Sequence, residues 1–251
     1  MLRTLSEKVD PQHSALILVD VLNDFCAEGG AMHREGCDLS MVKEMVPRLE
    51  RLLAAARAAK VRCVWVRCAY NTTPNHYLSE VWLEHCLRRR PGAYIKFPVC
   101  EPGEWNGDFF QIQPLPDEVI VTKHRYGAFE STDLDLILRS CGIRSVIITG
   151  VATNVCVETA ARQAFMRDYY VVFTGDCCAT YSQAQHDAAL ENIDRFFGEV
   201  VTSEQIMACA HSGRTLRIYG RGEAVRDYVY IDDVVDEIGR ASCRERVYVL
   251  V

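Results

Sequence analysis

The sequence predicts a three-layer α/β/α domain built on a doubly wound, mainly parallel sheet of six strands. Six short runs are rich in valine and isoleucine and show no polar alternation, which is typical of strands buried on both faces. Longer segments between them carry apolar residues at three- and four-residue spacing, which indicates amphipathic helices. This alternation favours a parallel sheet with right-handed crossovers and helices on both faces.

The predicted strands are residues 14–20, 61–67, 118–123, 144–149, 169–174 and 199–202. The clearest helix spans 40–60, where one apolar stripe includes Val42, Met45, Leu49 and Leu52. Pro47 leaves the start of this helix open, because proline is tolerated only in the first turn or at a kink. Further helices are predicted at 131–141, 154–168 and 183–197. The stretch 68–117 is less regular and is interpreted as a long excursion that covers the site.

The composition is that of an ordinary globular protein, with 49% hydrophobic and 25% charged residues in a chain of 251. No apolar run approaches ~18 residues, so no membrane span is expected. Residues 1–12 lack the apolar core of a secretory signal, which favours a cytoplasmic protein. The net charge of −6, without a basic stripe, argues against nucleic acid as a partner. A small molecule is the expected partner.

Twelve cysteines are present, and in a reducing cytosol they are expected to stay free. They form no CxxC pair, and the nearest pairs, Cys63/Cys68 and Cys177/Cys178, match no zinc pattern. Most are therefore interpreted as small buried hydrophobes, with at least one available for chemistry. Neither a metal nor another cofactor is predicted.

The strand–helix alternation stops after His211. Residues 218–238, IYGRGEAVRDYVYIDDVVDEI, resemble an internal segment of nucleotide-sugar epimerases, whose dinucleotide-binding half is absent before it. The following EIGRASCRERV resembles the translated read-through of a sequencing adapter. We therefore predict a functional domain at 1–210 and a non-native or chimeric tail at 211–251, with a genuine C-terminal extension as the alternative.

Chemically reactive residues stand where the predicted strands end. Asp20 closes the first strand, and Arg67, followed by Cys68, closes the second. Lys123 closes the third, and the fourth leads through a turn to Cys156. Ligands of open parallel sheets bind outside the carboxyl ends of the strands, so an acid, a base and a thiol are expected to meet there. Each residue alone has an ordinary interpretation, as a strand-end cap, a surface charge or a buried cysteine.

Cys156 has the most favourable local sequence of the cysteines. The segment TGVATNVCVETAARQAF runs from strand to helix with Thr153 or Asn154 as N-cap, which places Cys156 in the first helical turn. Unpaired N–H groups and the helix dipole favour a thiolate there and can also stabilise an oxyanion. A nearby lysine is expected to lower the thiol pKa further, and a carboxylate to pass its proton to a leaving amine.

Three motifs, ILVDVLNDFC around Asp20, TKHRYGAF around Lys123 and TGVATNVCVETAAR around Cys156, resemble those of the isochorismatase-like cysteine hydrolases. The resemblance covers about residues 12–207 in the same order. It implies a triad with Asp20 as acid/base, Lys123 as the lysine and Cys156 as the nucleophile. It also implies a cis peptide before Ala152, oxyanion donors at the N–H groups of Ala152 and Cys156, and a dimer or tetramer.

Within the family, the pattern formed by Lys123, Arg125, Tyr126 and Phe129 resembles the ureidoacrylate amidohydrolase and biuret hydrolase branch. The chain departs from the ureidoacrylate enzymes after the second strand, where Arg-Cys-Ala-Tyr at 67–70 replaces Gln-Asn-Gly-Trp. The amide side chain expected to touch a ureido group is therefore missing, which leaves the substrate open. The candidate substrate-binding residues are Tyr70, Asn71, Trp105 and Tyr126.

The resemblance implies a cofactor-free amidohydrolase that cleaves a C–N bond of a small carbamoyl, ureido or amide substrate through a thioester. Nicotinamidases of the family bind a metal through an Asp-x-His…His pattern after the second strand. Here that stretch, RCAYNTTPNHY, contains only His76 and no carboxylate at matching spacing, so neither a metal nor nicotinamidase activity is expected. The alternatives are an isochorismatase-type ether or ester hydrolase, which does not need Cys156, and a catalytically silent binding module. A redox role for Cys156 would need a resolving cysteine, which the sequence does not locate.

Overall fold

The computed structural model describes residues 1–70, 76–89 and 99–212. At its centre lies a sheet formed by β1 (Ser14–Val19), β2 (Arg62–Cys68), β3 (Val119–Lys123), β4 (Ser145–Val151), β5 (Tyr170–Ala179) and β6 (Glu199–Val201). The strands lie in the order β3-β2-β1-β4-β5-β6, and every adjacent pair is parallel. The predicted doubly wound α/β fold is confirmed, with a sheet that is parallel throughout.

The chain builds this sheet outwards from its middle in two directions. From β1 it moves through β2 to the edge strand β3, then crosses to β4 on the other side of β1 and continues through β5 to β6. Ligands of doubly wound folds bind beside the point where the winding reverses, which here lies between β1 and β4. Val19 pairs with Val66 in β2 and with Gly150 in β4, so three strand ends lie side by side there.

The helices are α1 (Leu5–Lys8), α2 (Asn23–Cys26), α3 (Ala31–Arg34), α4 (Ser40–Ala58), α5 (Glu80–Arg89), α6 (Leu134–Ser140), α7 (Glu158–Phe165), α8 (Gln183–Phe196) and α9 (Ser203–Ser212). The longest, α4, buries the predicted apolar stripe. It begins at Ser40 and continues through Pro47, which answers the question that the sequence leaves open.

Helices cover both faces of the sheet, and each strand divides its side chains between two apolar cores. Leu16 and Leu18 of β1 belong to the core that contains the stripe of α4, whereas Ala15 and Ile17 belong to the core that contains α6, α7 and α8. Because both faces are covered, β1 is buried at every position. This explains why the strand sequences are continuously apolar.

The structure differs from the sequence prediction at several elements, and the short helices α1, α2 and α3 are among them. Helix α5 forms inside the stretch that is predicted to be irregular, and α9 follows β6. Strand β5 continues to Ala179, because its pairing with β4 shifts register between Ile148 and Gly150. None of the helices in the described residues combines the length and the apolar character that crossing a bilayer requires.

The chain divides into two units, Met1–Arg214 and Thr215–Val251. The second unit lies outside the described residues. The predicted boundary between a domain at 1–210 and a tail at 211–251 therefore stays a prediction.

Candidate active site

Asp20 follows β1 directly and carries the carboxylate of the site. Its φ of +53° lies in the left-handed region that few residues other than glycine adopt. The backbone N–H of Asp20 donates to the carbonyl of Val66 at 2.8 Å. The side chain is fully buried, and its Oδ1 accepts a hydrogen bond from the N–H of Cys68 at 2.8 Å. Backbone groups of β2 therefore fix the carboxylate at the ends of the central strands.

Lys123 ends β3 and reaches the same point. Its Nζ lies 2.7 Å from Oδ2 of Asp20, with both side chains completely shielded from solvent, and it donates to the carbonyl of Arg125 at 3.0 Å. Burial acts to lower the pKa of the Lys123 ammonium, but the negative charge of Asp20, helped by Cys156, outweighs it and raises the pKa. The lysine is therefore protonated at neutral pH.

Cys156 lies in a π-helical turn, Thr153–Val157, that connects β4 to α7. Its Sγ accepts a hydrogen bond from Nζ of Lys123 at 3.5 Å, so the structure brings all three predicted residues together. The peptide bond between Val151 and Ala152, just before the turn, is cis. Within the described residues, the N–H of Ala152 has no acceptor.

The pKa of the Cys156 thiol differs from the one that the sequence predicts. The sequence predicts a lowered pKa because of the helix start and the lysine. However, Cys156 is only 6% exposed, and burial raises the pKa of its thiol by more than the charge of Lys123 lowers it. The charge of Asp20 and a hydrogen bond to its carboxylate raise the pKa further. The predicted direction is wrong, and the resting sulfur is a neutral thiol beside a carboxylate that can take its proton.

Side chains from neighbouring elements hold the turn that carries Cys156. Oγ1 of Thr153 and Nδ1 of His186 on α8 share a buried hydrogen bond of 2.9 Å. The hydroxyl of Thr180 donates to Oδ1 of Asn154 at 2.7 Å. The sequence predicts that Thr153 or Asn154 caps the helix, but neither does, because both side chains bond to other elements. Sequence reasoning missed His186, which belongs to no recognisable motif.

Two of the predicted substrate-binding residues belong to an aromatic cluster beyond the ends of β2 and β3. The ring centroid of Tyr70 lies 5.6 Å from that of Trp82 on α5, and the ring centroid of Tyr126 lies 4.7 Å from the same indole. The guanidinium of Arg125 lies 5.3 Å from the Trp82 ring centroid. Because Lys123 bonds to the Arg125 carbonyl, this cluster is continuous with the triad. Sequence reasoning did not select Trp82.

Trp105, another predicted pocket residue, is 53% exposed, and its carbonyl accepts a hydrogen bond from Nδ2 of Asn23 at 2.7 Å. In the described part of the chain, no hydrogen bond joins Trp105 to the triad. Asn71 lies outside the described residues. His76 is exposed. Across the described part of the chain, no cluster of His, Cys, Asp and Glu side chains is arranged to hold a metal ion.

Tyr181, which the sequence analysis did not select, lies within electrostatic reach of the thiol. Burial raises the pKa of the Tyr181 phenol, and surrounding cysteines, Cys156 among them, raise it further. Its hydroxyl donates to the carbonyl of Phe25 at 3.0 Å. A cavity of about 150 Å³ opens beside it, lined by residues 180–183 and by the start of α4.

Comparison with known families gives two matches. The Isochorismatase domain family matches residues 14–205, which contain all six strands. The NAD dependent epimerase/dehydratase family matches residues 175–245. That shorter match overlaps the end of the first and includes the segment whose sequence resembles epimerases.

Relatives of similar length cover most of the domain. The ureidoacrylate amidohydrolase of Enterobacter sp. (strain 638) is 35% identical over 205 residues, which cover 76% of this chain and 86% of the relative. The ureidoacrylate amidohydrolase of Serratia proteamaculans (strain 568) is 34% identical over 203 residues, which cover 76% of this chain and 79% of the relative. The crystal structure of a cysteine hydrolase from Pseudomonas syringae pv. phaseolicola 1448A is similar, with a TM-score of 0.71 and 26% sequence identity. The match covers 84% of this chain and 97% of that chain. The chain therefore belongs to the isochorismatase-like family of hydrolases.

Proposed function

We propose that the protein is a cysteine amidohydrolase that cleaves a C–N bond of a small carbamoyl, ureido or amide substrate. The observation that carries the proposal is the buried contact of three groups, in which Nζ of Lys123 lies 2.7 Å from Oδ2 of Asp20 and 3.5 Å from Sγ of Cys156. A carboxylate base, a fixed cation and a thiol at one point are the parts that nucleophilic acyl transfer needs. The names of the ureidoacrylate amidohydrolase relatives fit this reaction class.

In the proposed reaction, Sγ of Cys156 attacks the carbonyl carbon of the substrate. As the S–C bond forms, the thiol proton passes to Asp20 and the π electrons of the carbonyl move onto its oxygen. The N–H groups of Ala152 and Cys156 donate to this oxyanion. Collapse of the intermediate breaks the C–N bond, and Asp20 returns the proton to the departing ammonia or amine.

Water completes the proposed cycle. Asp20, again a carboxylate, takes a proton from the water molecule whose oxygen attacks the thioester. The C–S bond then breaks, the acyl or carbamoyl group leaves as the acid, and Asp20 returns the proton to the sulfur of Cys156. Lys123 stays protonated throughout, orienting the carboxylate and stabilising the negative sulfur. Tyr70 and Tyr126 are proposed to contact the substrate.

We further propose that the protein acts as a homo-oligomer in a reducing compartment. All eleven cysteines in the described residues are free, which supports the second point. Phe165, Met166 and Phe196, at the ends of α7 and α8, are 45%, 74% and 57% exposed. Exposed apolar side chains that lie together support self-association.

Ammonia release by the full-length chain tests the reaction, with ureidoacrylate, biuret, N-carbamoyl amino acids, nicotinamide and simple amides as the panel. We expect release from a ureido or amide compound, reduced at least ~10³-fold by Cys156→Ala, since removing a nucleophile disables the whole catalytic unit. Cys141→Ala is the matched control, because Cys141 is a free, partly exposed cysteine outside the triad. It should retain the activity.

Two other outcomes would change the proposal. Turnover that survives Cys156→Ala but disappears with Asp20→Asn would indicate acid–base hydrolysis of the isochorismatase type and overturn the covalent mechanism. A folded full-length chain that turns over no compound of the panel would favour the binding module instead.

A further inference from the structure

We propose that His186 is a positioning residue for Cys156 that acts through Thr153; this inference rests on the proposed function, because it concerns the same site. His186 lies on α8 and is 8% exposed, whereas Thr153 is completely buried. Their side chains share a hydrogen bond of 2.9 Å. In the part of the chain that the structure describes, no hydrogen bond joins the imidazole to the triad, so the connection from His186 to the thiol runs through the turn.

Among the described residues, the backbone hydrogen bonds of the turn Thr153–Val157 stay within the turn and its two ends. The N–H groups of Val155 and Val157 share one acceptor, the carbonyl of Ala152, at 3.0 and 3.2 Å. No side chain caps the start of the turn or of α7. Contacts with neighbouring elements therefore decide where the turn sits, and with it the position of Sγ relative to Lys123.

Helix α8 contacts this turn at two adjacent positions of very different burial. The contact through His186 is buried and short. The contact from Nδ2 of Asn154 to Oε1 of Gln185 is exposed and 3.4 Å long. Breaking a buried hydrogen bond leaves a desolvated polar group without a partner, whereas water replaces an exposed one. Of these two contacts from α8, the buried bond therefore contributes more to the position of the turn, and Gln185 provides a matched control on the same helix.

The hydrogen bond places no additional charge next to the thiol. Burial lowers the pKa of His186, and the adjacent Asp187 only partly opposes this shift. The ring is therefore neutral at neutral pH, and its Nδ1 can still bond to the Thr153 hydroxyl. His186 accordingly acts through geometry rather than as an acid or a base.

The test compares His186→Ala, Thr153→Val, their combination, His186→Asn and Gln185→Ala in the full-length chain. One readout is the rate at which iodoacetamide alkylates Cys156, followed by mass spectrometry of the tryptic peptide 145–162, in which Cys156 is the only cysteine. The other is kcat and KM for a compound that the panel identifies. Thermal unfolding of each variant is measured alongside.

We expect His186→Ala and Thr153→Val each to slow alkylation and to lower kcat about tenfold or more, with KM nearly unchanged, since small displacements of a reacting group have effects of this size. The double variant should be no slower than the slower single variant, because both remove one interaction. His186→Asn should restore most of the rate, since its amide can bond to Thr153. Gln185→Ala should match the unaltered protein.

A purely structural role would lower the melting temperature and leave both rates of the folded protein unchanged, and that result would overturn the proposal. Effects of the two single variants that multiply in the double variant would also overturn it. If His186→Ala does not fold, Thr153→Val decides, and alkylation within about twofold of the unaltered rate would refute the inference. Alkylation needs no substrate, so this test stands even if the panel shows no hydrolysis.

Discussion

Replacing Lys123 by methionine removes one side of a salt bridge that is shielded from solvent. At a separation of 2.7 Å between Nζ and the Asp20 carboxylate, the gross Coulomb attraction is ~6 kcal/mol for an effective dielectric constant of ~20. Desolvation of the two ions offsets part of it, and breaking such a pair from one side costs ~3–5 kcal/mol. Methionine retains an unbranched side chain that fills the space. We therefore expect Lys123→Met to lower the free energy of unfolding by ~3–5 kcal/mol at neutral pH.

This loss should be relieved by a second substitution, because removing the cation alone leaves the buried Asp20 side chain without its partner. Asp20→Asn combined with Lys123→Met removes both charges, and the double variant should be more stable than Lys123→Met alone.

Urea unfolding at pH 7, followed by circular dichroism, measures these free energies. Lys43→Met is the control, because Lys43 pairs with Glu28 at 2.9 Å but on the surface, where an ion pair adds little. If Lys123→Met costs no more than Lys43→Met, or if adding Asp20→Asn recovers no stability, the salt bridge is not the coupled buried pair that this reasoning requires.

Three further predictions concern the scaffold. Burial tends to raise the pKa of Glu118, but bonds from Arg57 and other donors hold it at about 2 instead of 4.5, so Glu118 stabilises the fold above pH 4.5. Urea titrations should show that the free energy of unfolding, taken relative to that of Glu118→Gln, falls by about 2 kcal/mol between pH ~4.5 and pH ~2. A difference between the two proteins that does not change with pH would contradict this. Asp176→Ala removes two bonds of 2.7 Å to Ser203 at the start of α9 and should cost ~1–3 kcal/mol by thermal unfolding, more than Ser203→Ala, which removes one. Gly150 has φ +121°, and an added Cβ would overlap the β1 backbone, so Gly150→Ala should cost about 3 kcal/mol or more; near-native stability in urea would refute this account.

The strands and the three reactive residues could be predicted because their signals are local. A strand covered on both faces must be apolar along its length, and every residue of β1 is buried. Asp20 and Lys123 could be selected because the carboxyl ends of parallel strands converge whatever the intervening helices do. Cys156 could be selected because its turn follows β4 after a single residue.

The features that sequence reasoning missed depend on packing between distant segments. His186 and Thr153 are 33 residues apart, and no sequence pattern around either residue predicts their hydrogen bond. Trp82 lies on a helix that carries many polar residues, so the apolar periodicity of the sequence does not predict that its ring packs beside Tyr126. The pKa of Cys156 rises because of burial, and the degree of burial is a property of the assembled fold.

The charge balance of the site explains how a buried thiol with a raised pKa can act as the proposed nucleophile. The resting site holds a carboxylate, an ammonium and a neutral thiol, whose charges sum to zero. Moving the thiol proton to Asp20 replaces a carboxylate–ammonium pair with a thiolate–ammonium pair, and the sum is unchanged. An unbalanced ion in an apolar interior costs several kcal/mol, so a transfer that conserves net charge is the one that a buried site can accommodate. Lys123→Met also removes the ammonium that donates to Sγ of Cys156 at 3.5 Å, so the thiolate loses its hydrogen bond and its counter-ion; alkylation of Cys156 should therefore slow even in molecules that remain folded.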